Sequence, residues 1–391
     1  MPSSHDLTTF APRASDADLD ELRRRLRATS WPDAPAGLGS AAGVDVAELR
    51  ELVAYWADGF DWRAAEARLN SLPRFRTELD GIGIHLVHAR AAAGSPSSMP
   101  LLLAHGWPDS FWRYSEVVPL LTDPGAHGAD PADAFDVVVP DMPGFGYSDA
   151  APRDLDFAGV AGLWARLMER LGHHRFGAAG GDLGSDVVRW VALDHPEQVV
   201  AVHRTDAVSM PDYDPAVLAE EERAWLRGRE PWERDESAYS ALQSTKPQTA
   251  AVGLTDSPAG LAAWIVEKLT SWSDHRPDGS SLLGRDAMLT DVTIYWLTGT
   301  IGSSMRMYRA CEQMPESEFA RTIEVPTGYT LFPADVEAPA PDAWLRRTTT
   351  DLVSVSRPDR GGHFAPMEDP ELYAREIRDF FRPFRSTSSR G

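Results

Sequence analysis

The sequence predicts an α/β fold: a mostly parallel sheet with crossover helices, preceded by a helical extension and interrupted by a helical insertion. Three observations carry this reading. From Leu101 onward, short apolar runs alternate with amphipathic stretches, as buried parallel strands joined by helices require. Residues 1–73 instead place apolar side chains at helical spacing. Between Asp206 and Tyr308 the strand–helix rhythm stops and helical, aromatic-rich pieces replace it. The 391 residues divide accordingly into an N-terminal helical extension (1–73), a first core part (74–205), a helical lid (206–308) and a second core part (309–391).

In the extension, Leu19, Leu22 and Leu26 share one helix face, as do Leu49, Leu52, Val53 and Trp56, then Trp62, Ala65 and Leu69. Trp31-Pro32 and the loop from Pro35 to Gly43 break these helices with turn chemistry. Phe75, Thr77 and Leu79 alternate before Asp80-Gly81, and Ile82, Ile84 and Leu86 alternate after it, which predicts a hairpin. Core strands are expected at Leu101–Ala104, Val137–Val139, Phe176–Ala179, Val199–His203, Thr327–Phe332 and Leu352–Val355. Helical spacing joins Val160, Leu163, Trp164, Leu167 and Leu171, covers Asp186–Leu193, returns in the lid at Leu261, Trp264, Ile265 and Leu269, and closes the chain at Glu371–Phe381.

Composition excludes several classes. With 43% hydrophobic and 25% charged residues the chain has ordinary globular values. The 59 acidic against 38 basic residues give a net charge of −21, which repels phosphate backbones and anionic lipid, so neither nucleic acid nor a membrane is an expected partner. Cys311 is the only cysteine, which rules out an intramolecular disulfide and a Cys-rich zinc site. No apolar run approaches the ~20 residues of a membrane span. Met1–Phe10 lacks a basic stretch followed by an apolar one, so a cytoplasmic location is expected.

Gly180-Gly181-Asp182-Leu183-Gly184 lies between an expected strand and an expected helix, with small residues around a central carboxylate. A sharp strand-to-helix turn needs such flanks to hold a strained central residue, and this is the nucleophile elbow of α/β-hydrolases. Taken alone, the same residues also suit a helix N-cap. No G-x-S-x-G occurs, so a serine esterase has no candidate nucleophile at an elbow. His105-Gly106-Trp107-Pro108 follows the first core strand, where that fold keeps its second oxyanion-hole N–H, and Trp107 would supply it. His363, in Gly361-Gly362-His363-Phe364, falls after the last strand and before the last helix, where the chain order of nucleophile, acid and histidine expects the base. Asp335 follows the preceding strand as the acid, with Glu337 as competitor. Glu368 and Asp369 read as charges in the first turn of a helix. Tyr239 and Tyr308 in the lid, each taken alone, read as packing residues.

Together these residues resemble the microsomal-type epoxide hydrolases of the α/β-hydrolase superfamily, and the resemblance covers nearly the whole chain. Thr29-Ser30-Trp31-Pro32, Tyr55-Trp56, Asp61-Trp62-Arg63 and Leu69-Asn70 are similar to that family's N-terminal region. His105–Phe111, Asp141–Asp149 (D-M-P-G-F-G-Y-S-D) and Gly180–Ser185 resemble its core motifs. Thr245-Lys246-Pro247, Asp256-Ser257-Pro258 through Lys268, and Tyr295–Thr300 resemble its lid, and Gly361–Pro370 resembles its C-terminal part. The resemblance implies Asp182 as nucleophile, His363 as general base and Asp335 where the family's acid, commonly a glutamate, falls. It implies Tyr239 and Tyr308 as the pair that polarises the epoxide, and the backbone N–H groups of Trp107 and Leu183 as the oxyanion hole. A tryptophan often follows the nucleophile, where this chain has Leu183. No metal or organic cofactor is implied; the expected partners are a small hydrophobic epoxide and water, with a homo-oligomer left open.

The chemistry fits independently. Opening an epoxide is displacement at a tetrahedral carbon, and carboxylates, with reference pKa values of ~3.9, are ionised for that attack at neutral pH. Phenols of reference pKa ~10 stay protonated and can donate to a much more basic alkoxide. The ester so formed is an acyl compound whose hydrolysis needs a base and an oxyanion hole. Two alternatives accompany this reading: a haloalkane dehalogenase using the same Asp/His chemistry, and a catalytically silent binding protein of the same fold.

Overall fold

The computed structural model describes residues 7–33, 35, 37, 39–95, 98–206, 213–336 and 338–387. Their strands are β1 (Thr8–Thr9), β2 (Arg74–Leu79), β3 (Ile82–Ala89), β4 (Met99–Ala104), β5 (Phe135–Pro140), β6 (Phe176–Gly180), β7 (Val199–Arg204), β8 (Thr327–Thr330) and β9 (Leu352–Ser356). They form one sheet in the order β1-β2-β3-β5-β4-β6-β7-β8-β9. The pairs from β1 to β5 along that order are antiparallel, and the remaining pairs are parallel. Asp80 and Gly81 both adopt positive φ, 52° and 78°, which matches the tight turn expected between β2 and β3.

The period-two pattern of the strands sorts their side chains into two cores. Leu102, Ala104, Val138, Ala178 and Val202 pack on one face, under α5 (Phe157–Arg170) and α6 (Leu183–Asp194). Leu101, Leu103, Val137, Val139 and Ala201 pack on the other, under α4 (Val117–Thr122) and α16 (Pro370–Phe381). Because the sheet is covered on both faces, β6, β7 and β8 are buried along their whole length and β4 at all but Pro100, and the parallel register carries the C-terminal ends of these four strands to one edge.

In the extension lie α1 (Asp16–Arg27), α2 (Val46–Asp58) and α3 (Trp62–Ser71), and the stripes read from the sequence are the faces they bury. Between β7 and β8 come α7 (Glu220–Asp235), α8 (Ala238–Thr245), α9 (Pro247–Asp256), α10 (Pro258–Ser271), α11 (Arg285–Thr298) and α12 (Ile301–Glu312). These helices occupy the span expected of the lid, and α12 runs on past its expected limit at Tyr308. The second core part adds α13 (Glu316–Phe319), α14 (Asp342–Thr348) and α15 (Ala365–Glu368). Among the described residues no helix is long and apolar enough to cross a membrane.

Candidate active site

Asp182 stands between β6 and α6 with φ 55° and ψ −137°. A non-glycine residue held there costs on the order of 1–3 kcal/mol, so the surroundings must over-determine it. They do so by close approach. A Cβ on Gly184 would lie 2.1 Å from the Ala104 carbonyl oxygen, and one on Gly106 would lie 2.3 Å from Asp182 Oδ1. The small residues around Asp182 thus let β4, its following loop and the start of α6 meet at one point. Asp182 Oδ1 accepts the N–H of Leu183 at 2.6 Å and that of Trp107 at 2.8 Å. Asp182 N donates to Asp206 Oδ2 at 2.6 Å.

The second oxygen faces the histidine. Asp182 Oδ2 lies 3.1 Å from His363 Nε2, and His363 Nδ1 donates to Asp335 Oδ1 at 2.8 Å. Asp335 Oδ1 also accepts the Val336 N–H at 2.7 Å. Burial opposes a charged imidazole, but the carboxylates of Asp335 and Asp182 outweigh it and push the His363 pKa up to about 10. The ring edge meets Trp272 with centroids 5.2 Å apart, and the His363 N–H donates to the Trp272 carbonyl at 2.8 Å. Arg113, buried and paired with Asp109, donates to the His363 carbonyl at 2.6 Å.

Glu368 lies in the first and only turn of α15, as expected, but its carboxylate turns back into the histidine loop. There it accepts the N–H groups of Gly362 at 3.0 Å and Phe364 at 2.8 Å, and across to the lid that of Asp274 at 2.8 Å. Burial nonetheless raises its pKa to about 7, against those three donors. Asp369, by contrast, caps α16 by accepting the Leu372 N–H at 3.0 Å.

The loop carrying Trp107 is held from beneath. Asp109 Oδ1 accepts the Gly106 N–H at 2.7 Å, and Asp141 Oδ1 accepts that of Phe111 at 2.8 Å. Asp141 Oδ2 takes His85 Nδ1 at 2.7 Å and the Tyr147 N–H at 2.8 Å. Since His85 Nε2 accepts from Arg74 Nε at 2.9 Å, the His85 proton sits on Nδ1, and burial keeps this ring neutral. The stretch that begins at Asp141 therefore scaffolds the loop that carries Trp107. The lid helps as well: Tyr295 donates its hydroxyl to the Asp109 carbonyl at 3.0 Å.

Tyr239, on α8, and Tyr308, on α12, converge on the same tryptophan. The Tyr239 ring stacks on Trp107 at 5.4 Å, and the Tyr308 ring meets Trp107 edge-on at 5.9 Å. The two phenol rings are 6.0 Å apart. Burial, then Tyr239 and the Asp182 charge, push the Tyr308 pKa well up, so its hydroxyl keeps its proton. Lys268 Nζ lies 4.9 Å from the Tyr239 ring centroid and pairs with Glu267 at 2.7 Å.

Asp182, His363, Asp335, Tyr239, Tyr308, Trp107 and Leu183 thus meet at the C-terminal edge of the sheet, under the helices between β7 and β8. Glu337 lies outside the described residues. Arg113, Trp272 and Asp206 gave no catalytic signal in the sequence, because their contacts to the site cross large separations along the chain.

A family model described as epoxide hydrolase N terminus matches residues 7–114, and one described as alpha/beta hydrolase fold matches residues 99–255. A protein of Stigmatella aurantiaca (strain DW4/3-1) is 40% identical over 382 residues, 97% of this chain and 86% of its own. Epoxide hydrolase 1 of Sus scrofa is 33% identical over 400 residues, 95% of this chain and 87% of that protein. Among solved structures, juvenile hormone epoxide hydrolase from the silkworm Bombyx mori is similar with a TM-score of 0.88 at 28% identity, covering 98% of this chain and 96% of that one. Aspergillus niger epoxide hydrolase is similar with a TM-score of 0.85 at 29% identity, covering 97% of each chain. With relatives 40% and 33% identical that match 97% and 95% of its length, the chain belongs to the epoxide hydrolase family and has the α/β-hydrolase fold.

Proposed function

We propose that this protein converts a hydrophobic epoxide and water to a vicinal diol through a covalent ester on Asp182. The observation that carries the proposal is the unequal environment of the two Asp182 oxygens: Oδ1 lies against two backbone N–H groups, and Oδ2 lies 3.1 Å from His363 Nε2. Oδ2 attacks the epoxide carbon as the ring C–O bond breaks. The alkoxide takes a phenolic proton from Tyr239 or Tyr308, and the imidazolium proton then restores the phenol.

Esterification removes the Asp182 charge, one of the two anions that hold the proton on His363, so alkylation itself prepares the base. Neutral His363 removes a proton from water, and hydroxide adds to the ester carbonyl carbon. The charge that develops on Oδ1 is held by the Trp107 and Leu183 N–H groups, and Asp335 stabilises the imidazolium. Collapse breaks the bond from the carbonyl carbon to Oδ2, and that oxygen takes up the proton of the added hydroxyl, so the diol leaves with Oδ2, the carboxylate is restored and the oxygen of water remains in Asp182.

Trp107, Trp272 and Phe364 around the tyrosines and the histidine favour an apolar, aryl-bearing substrate. The dehalogenase alternative would look for an indole donor after the nucleophile, where Leu183 offers none.

The test is a trap. His363→Gln should form the ester but hydrolyse it about 10²–10⁴ times more slowly, in line with loss of a general base. Mass spectrometry under single turnover should find a substrate-sized increment on the peptide containing Asp182. Fast release of diol with no increment would overturn the proposal.

A further inference from the structure

A third carboxyl adjoins the site. Asp206, just beyond β7, is 8% exposed. Its Oδ2 accepts the N–H of the strained Asp182 at 2.6 Å, while its Oδ1 is buried with no hydrogen-bond partner among the described residues. Asp206 and Asp335 also line one small cavity, with Thr205, Trp225, Phe332 and Ala338 in its wall. That cavity measures about 20 Å³, where roughly 10–15 Å³ accommodates one water.

We propose that Asp206 is a positioning residue for the ester chemistry, working as a neutral carboxylic acid: Oδ2 holds the Asp182 N–H, and the protonated Oδ1 donates, through one water in this cavity, to the Asp335 carboxylate. The proposal rests on the reading of Asp182, His363 and Asp335 given above.

An ionised Asp206 would be a buried anion with one donor to its carboxylate among the described residues, close to two further carboxylates. A neutral acid needs one donor and one acceptor, and the arrangement offers both. The nearby cation does not rescue the anion. Arg204 spends Nη2 on Asp186 at 3.2 Å, Nε on Ser185 Oγ at 2.8 Å and Nη1 on the Tyr329 hydroxyl at 3.1 Å. Burial is the largest influence on Asp206, and with the charges of Asp186, Asp335 and Asp182 it outweighs Arg204, pushing the pKa up to about 7. As pH rises through neutrality Asp206 ionises, the donor to Asp335 is lost, and a new anion tightens the hold of the Asp335–His363 pair on its proton. Ester hydrolysis slows in consequence.

Asp206→Asn preserves the neutral pattern, its amide oxygen accepting the Asp182 N–H and its NH₂ donating into the cavity. With His363 intact, this variant should hydrolyse the Asp182 ester in single turnovers at close to the wild-type rate below neutrality and should lack the wild-type decline above it. Asp206→Ala leaves a buried N–H unpaired and should slow both alkylation and hydrolysis about tenfold or more. Infrared difference spectra supply a readout that needs no epoxide: below neutrality the wild type should show a protonated-carboxyl C=O band that Asp206→Asn lacks. Absence of that band, equal impairment of the Asn and Ala variants, or a wild-type pH profile unchanged in the Asn variant would overturn the proposal. A wild type that forms no ester with any epoxide would instead overturn the functional reading, while the infrared result still decides the protonation of Asp206.

Discussion

A carboxylate that merely caps a helix turns its oxygens back toward the N–H groups of the second and third helical residues. Asp182 does otherwise, reaching across to Trp107 N and leaving Oδ2 for His363. At the residue scale this geometry favours the nucleophile over the cap, two readings that the sequence alone leaves level. In the proposed mechanism the tyrosines share the work on the leaving group. Tyr239→Phe or Tyr308→Phe should each slow alkylation by about 10–100-fold, the worth of a hydrogen bond to a developing charge. The double variant should be slower than either single one, as stopped-flow single turnovers would read, and unchanged alkylation in the double variant would remove the phenols from the mechanism. The placement of His363 and Asp335 beside Asp182 was legible because their place in chain order, each after a strand end, follows from topology. Glu368 was not: its three backbone partners become visible only when the histidine loop folds back on α15 and the lid arrives beside it. Asp206 was hidden for a similar reason, since nothing local distinguishes it from a residue that ends a strand.

At the scale of elements, period-two runs and helical stripes made the core strands, the β2–β3 hairpin and the three extension helices legible. Boundaries were less so. The helix expected from Asp186 starts at Leu183, because the elbow allows no intervening loop. The strand expected to reach Phe332 ends at Thr330, where the chain turns toward Asp335. The two-residue β1 is too short to carry a periodicity at all. The elbow also sets the most sensitive position in the core. Gly184→Ala would put a methyl 2.1 Å from the Ala104 carbonyl oxygen and 2.5 Å from that of His105, both backbone atoms. The variant should lose about 1–3 kcal/mol of stability by denaturant titration, the usual range for overpacking. A stability equal to wild type would mean that β4 and α6 can separate without cost, contrary to the close packing described here.

At the scale of the whole molecule, the extension, the lid and the core act as a stack. Trp56 Nε1 donates to Thr293 Oγ1 at 2.9 Å in a buried contact, and Tyr55 donates to Asp286 at 2.8 Å, which fixes α2 on α11. From α11, Tyr295 reaches the loop that carries Trp107, and from α12, Ser303 donates to the Gly144 carbonyl at 2.6 Å. The lid thereby presents its tyrosines to a carboxylate that the core holds rigid, and the extension braces the lid. This stack serves one claim, that Asp182 attacks before water does. Direct attack of water on the epoxide would give the same diol with the same base, so product identity does not separate the two routes. Oxygen tracing does. One turnover with excess enzyme in heavy-oxygen water should release unlabelled diol and leave the label in the peptide containing Asp182, with labelled diol following only in later turnovers. Label in the first-turnover diol, with none in Asp182, would contradict the account and make histidine-activated water the nucleophile.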